Sequence, residues 1–143
     1  MTGRASVNAM RRLLIFSLLI VATSCSNPTG PNGKFCDVVK RIRVTADPLA
    51  GGAAYSDPKV LADGMSLRVQ AYRDLAAVAP ATIQVDAALV RDTITKISVA
   101  LAAAGNKSLA ANDSAISALV KDETFLTASL NVQRFSEGAC KEK

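Results

Sequence analysis

Ile83, Ala87, Val90, Ile94, Ile97 and Leu101 follow one another at intervals of four, three, four, three and four. That spacing lays six apolar side chains along one stripe of an α-helix, whereas in a strand it would scatter them over both faces. A single amphipathic helix is marginal in water and becomes stable by burying its stripe against other elements. The rest of the chain must therefore supply partner helices. Composition agrees: 22 alanines follow residue 24, and alanine favours helix while the β-branched clusters typical of strands are few.

The spacing predicts three further helical stretches. Lys34 to Ala46 places Phe35, Val38, Val39, Ile42 and Ala46 on one face and stops at Asp47-Pro48. A second helix starts at Asp57-Pro58, an acid at the N-cap and a proline in the first turn. It buries Leu61, Met65, Val69, Tyr72, Leu75 and Ala76, and it ends by Ala79, because a residue before proline avoids the helical region. The Ile83 helix is stopped by Gly105-Asn106. From Asn112 to Gly138 the pattern divides: Ile116, Leu119, Val120, Leu126 and Leu130 share one face, while Phe125, Val132 and Phe135 fall on another. Either the helix is buried on two sides or it breaks near Asp122-Glu123, and one long helix with a kink there is the first expectation.

The amino-terminal residues read differently. Arg4, Arg11 and Arg12 come without any acid before an apolar run from Leu13 to Ala22, which has the form of an export signal. The run is about half the roughly 20 residues that crossing a bilayer requires. Met10 would serve as a start as well as Met1. The signal ends in Val21-Ala22-Thr23-Ser24-Cys25, which resembles the lipobox of bacterial lipoproteins. The resemblance implies that the Cys25 thiol takes a diacylglycerol thioether, that the signal is cut before it, and that the new amino terminus takes a further acyl chain such as palmitate. The alternative is an ordinary secretory signal and a secreted product. Residues 26 to 33, Ser-Asn-Pro-Thr-Gly-Pro-Asn-Gly, offer a core no apolar side chain and read as a tether. The expected organisation is thus a signal over 1–24, a lipid-anchored tether over 25–33 and one helical domain over 34–143.

With Cys25 assigned to lipid, two thiols remain, Cys36 and Cys140, and in an exported domain these read as one disulfide. The alternative is two unpaired buried thiols. A bond between the first helix and the end of the last places both at one end, which in an up-down arrangement happens with an even number of long helices. The expected fold is therefore all-α: an up-down bundle of about four helices clasped by one disulfide, with three helices as the alternative.

Functional chemistry is sparse. The chain has no histidine, which removes the commonest general base and the commonest zinc ligand. Gly30-Pro31-Asn32-Gly33-Lys34 lacks the spacing of a phosphate loop, and Phe35 stands where that loop needs a hydroxyl. Asp86 and Asp92 differ in helical phase, while Asp113, Asp122 and Glu123 read as acids that start helices. No catalytic residue, metal site or cofactor is expected. The net charge of +5 falls to +2 once the three signal arginines are set aside, leaving 14 basic against 12 acidic residues. Without a basic stripe or stacking aromatics, no nucleic-acid partner is expected. Lys34, Lys40, Arg41 and Arg43 form the one local basic excess. It has two readings: contact with anionic headgroups, at about 1 kcal/mol per residue near the surface, or a solvated face in which Asp37 pairs with Arg41, the simpler of the two.

Phe35-Cys36-Asp37, the run Leu75-Ala76-Ala77-Val78-Ala79-Pro80-Ala81-Thr82-Ile83, and Arg134-Phe135 followed by Cys140 are similar to small secreted or lipid-anchored proteins of actinobacteria. That resemblance implies a disulfide-clasped helical bundle and transfers no activity. Two functions follow as expectations. One is a non-enzymatic binding module on the outer face of the cell membrane, taking an apolar ligand or an envelope protein. The other is a structural or accessory lipoprotein of a membrane partner complex. An exposed apolar cleft favours the first and a closed polar bundle the second.

Overall fold

The structure, a computed structural model, describes residues 32–50, 56–107 and 113–140. The signal, Cys25 and the tether up to residue 31 lie outside the described residues. Among these residues five α-helices follow in order: α1 (Gly33–Val44), α2 (Pro58–Val78), α3 (Gln84–Ala103), α4 (Ser114–Val120) and α5 (Glu123–Ala139), with a 3-10 turn at Pro48–Ala50 after α1. The fold is all-α, and the described residues contain no strand.

Local chemistry sets most of the boundaries. α1 begins one residue before the expected Lys34 and stops two short of Ala46: Thr45 turns to extended backbone and its Oγ1 donates to the Arg41 carbonyl at 2.8 Å. Ala46 is thereby left exposed beyond the helix. Asp47, expected only as a stop signal, accepts the Leu49 N–H at 2.9 Å and shapes the 3-10 turn. At the start of α2, Asp57 accepts from Lys59 and Val60 N–H, with Pro58 as the first helical residue. Ala79 before Pro80 is extended and closes α2 where expected. α3 ends in a Schellman motif: Asn106 N–H donates to the Leu101 carbonyl at 2.8 Å and Gly105 N–H to that of Ala102 at 3.0 Å. Both turn residues carry positive φ, +73° at Gly105 and +52° at Asn106.

The carboxy-terminal stretch corrects the first expectation, one kinked helix, in favour of the alternative, a break near Asp122-Glu123. Lys121 ends α4, Asp122 is extended, and its carboxylate accepts the Phe125 N–H at 2.9 Å to start α5 afresh. Asp113 likewise stands at the N-cap of α4, just outside its first turn, accepting from Ala115 and Ile116 N–H. The break frees the two helices to choose their buried faces independently. α4 buries Ile116, while α5 turns Ala128, Val132 and Ser136 inward and packs Phe125 and Phe135 against the core. Leu126 and Leu130, expected to share the Ile116 face, are exposed.

α3 runs at the centre, in contact with α2, α4 and α5, and α1 packs on α2 and α5. All six residues of its stripe, from Ile83 to Leu101, are buried, alongside Phe35, Val38, Val39, Leu61, Met65 and Leu75. Val69, Tyr72 and Ile42 are half-buried at the core's edge. Arg41 pairs with Asp74 at 3.2 Å and Asp47 with Arg68 at 2.8 Å. The chain rising from Arg41 of α1 to Asp47 just beyond it thus meets falling numbers on α2, which makes α1 and α2 antiparallel. Cys36 in the first turn of α1 and Cys140 just past α5 form the disulfide, with Cα atoms 5.3 Å apart. The Phe35 and Phe135 rings meet edge to face beside it at 5.5 Å. The bundle therefore has four legs, the last in two pieces, and its clasp closes one end.

Candidate functional site: an open groove beside the first and last helices

Above the clasp α1 and α5 do not close on each other. An open groove of about 570 Å³ lies between them, with α2 and α3 beneath. Its apolar floor comes from Val39 and Ile42 of α1, Tyr72 and Leu75 of α2, Val90 of α3 and Val132 of α5. On the α5 side the small side chains of Ser129 and Ser136 line the groove together with Val39 and Ile42 of α1.

The wall of the groove is polar and ordered by a chain of hydrogen bonds. Arg43 Nη2 donates to Ser136 Oγ at 3.2 Å, and that hydroxyl donates onward to the Gln133 carbonyl at 2.7 Å. Gln133 Nε2 donates to Glu137 Oε1 at 2.8 Å. Ser136 is only 4 % exposed, so these bonds satisfy a buried hydroxyl. On the α2 side the Arg68 guanidinium lies 5.4 Å from the Tyr72 ring centre while pairing with Asp47, which holds the ring that lines the groove.

The basic cluster of α1 is dispersed. Arg41 reaches Asp74 of α2, where the sequence led to a pair with Asp37. Two positions on a helix differ by about 200°, so Arg43 points instead to α5 and the groove. Lys34 and Lys40 are exposed. The four residues do not make one face. Of the singled-out residues, Cys36 and Cys140 are brought together, Arg43 joins the groove, and Cys25 lies outside the described residues. The residues that sequence reasoning missed are Ser129, Gln133, Ser136 and Glu137. Their one signal was small and polar side chains interleaved with Val132 at helical spacing.

Among the described residues no three His, Cys, Asp or Glu side chains gather into a metal-binding group, and no helix is long and apolar enough to cross a membrane. Fold and groove together define a disulfide-clasped helical bundle with a concave amphipathic surface. No protein-family model matches the chain, and no curated protein or solved structure matches it either.

Proposed function

We propose that this protein is a membrane-anchored lipoprotein of the cell envelope, whose bundle is a non-enzymatic binding module for a small ligand with an apolar part. The observation that carries this reading is the groove. About 570 Å³ falls within the roughly 300–1,000 Å³ of small-molecule sites, and an apolar floor with a few placed polar groups is their usual lining. The anchor rests on the lipobox-like Val21 to Cys25 and sets the geometry. Seven residues from Ser26 to Asn32, before α1 begins at Gly33, reach at most about 23 Å at roughly 3.3 Å per residue, which keeps the bundle near the headgroups.

The two halves of the proposal are tested separately. Mass spectrometry of the membrane fraction is expected to find a chain beginning at acylated Cys25; an unmodified soluble product refutes the anchor. Envelope lipid fractions are expected to raise the melting temperature of the protein, and Ser129→Trp, which fills the groove, to abolish the rise. Lipids that leave melting unchanged, or that act equally on Ser129→Trp, refute the binding site.

A further inference from the structure

Two opposite charges at the mouth of the groove point to the kind of head group its ligand carries. Arg43 and Glu137 both line the groove, and both are exposed. Among the described residues neither has an ion-pair partner: Arg43 donates to a neutral hydroxyl and Glu137 accepts from a neutral amide. The neighbouring Arg41 and Asp74 neutralise each other and add no net charge to the α1–α2 side. Each hydrogen bond fixes its charged group in place without pairing it with an opposite charge among the described residues.

We infer that the groove takes a single-chain zwitterionic amphiphile, with its anionic group on Arg43, its amine on Glu137 and its alkyl chain on the Val39, Ile42 and Val132 floor. This rests on the groove being the binding site. The selection follows from charge. An anionic head gains Arg43 but meets Glu137, a cationic head gains Glu137 but meets Arg43, and a neutral head gains neither. Only a head bearing both signs gains from both walls, which makes discrimination depend as much on the unfavourable contacts as on the favourable ones.

The test uses the full-length protein with its disulfide formed, titrated by NMR with four probes that share a decyl-length tail. These are decanoyl lysophosphatidylethanolamine (zwitterionic), decanoyl lysophosphatidylglycerol (anionic), decylammonium (cationic) and monodecanoylglycerol (neutral). The zwitterion is expected to bind tightest and to shift the signals of Val39, Ile42 and Val132. Arg43→Gln and Glu137→Gln are each expected to weaken it about two- to fivefold, the range for exposed charge contacts. They are also expected to act in opposite senses on the other probes: Glu137→Gln tightens the anion and Arg43→Gln tightens the cation. Binding of all four probes with equal affinity, or variants that move all four together, overturns the head-group assignment while the groove stands as a binding site. Probes that leave the groove signals unmoved overturn both readings.

Discussion

Replacing Cys36 and Cys140 together by serine separates two roles a disulfide can have. The bond spans a sequence separation of 104, and a loop of that size restricts the unfolded chain by about 4.7 kcal/mol in the chain-entropy account. Typical domains are stable by about 5–15 kcal/mol, so the double variant is expected to fold but with much of its margin gone. At about 4–8 °C per kcal/mol for a domain near 100 residues, the melting temperature should fall by roughly 20–35 °C. α1 has a hold besides the bond, because Phe35, Val38 and Val39 are buried in the core. Urea unfolding followed by circular dichroism is the assay. The midpoint should drop and the slope m should rise, since an uncrosslinked unfolded chain exposes more surface. Two results refute the reasoning. One is an unfolding free energy within about 0.5 kcal/mol of the parent. The other is native-state hydrogen exchange that shows α1 unprotected while α2 to α5 stay protected, which would mean the bond holds α1 in place and does little to the unfolded chain.

Other substitutions probe single features. Ile97→Ala, at a fully buried position on α3, should cost about 2–5 kcal/mol in urea unfolding, whereas exposed Val99→Ala should stay within about 0.5. Gly105→Ala should cost about 1 kcal/mol for backbone reasons alone, because φ is +73° and an added Cβ meets nothing nearer than 4.0 Å. Asp122→Ala should remove the cap of α5 at about 1 kcal/mol and lower helicity by circular dichroism. The Arg91 guanidinium, hydrogen-bonded to Asp92, holds that carboxyl below its ordinary range. Whatever this pair contributes is therefore complete above the ordinary carboxylate pKa and fades as acid protonates Asp92. Carbon NMR should show Asp92 titrating low in the parent and moving up in Arg91→Gln.

What the sequence made legible follows from how local each signal is. α3 could be read in full because one regular stripe and a Gly-Asn stop depend on nothing outside the segment, and α2 was bracketed by Asp57-Pro58 and Pro80 for the same reason. The last leg was misread because it carries two apolar stripes of similar strength. Leu126 and Leu130 are larger than Ala128, yet the alanine is buried and the leucines are exposed. Close approach to α3 favours small side chains, and that preference belongs to the packed pair of helices, not to either sequence segment. Asp122 did carry a helix-start signal, but a cap beside a continuous apolar pattern reads equally as a kink. The groove was the least legible feature, since it depends on how far α1 and α5 stand apart above the clasp. The pairing of Cys36 with Cys140 was readable on the expectation that Cys25 carries lipid, which leaves two of the three cysteines and one possible bond.

That bond also imposes an order of events on biosynthesis. At about 5–20 residues per second, the 104 positions separating Cys36 from Cys140 correspond to roughly 5–20 s in which Cys36 has been made and its partner has not. α2 and α3, joined by a short turn at Ala79 to Ile83, need no distant residue to meet and can pair during that interval. The amino-terminal helix has its covalent partner only after nearly all the described chain exists. A free thiol at Cys36 thus reports a molecule whose clasp has not closed, and thiol alkylation would read out closure directly.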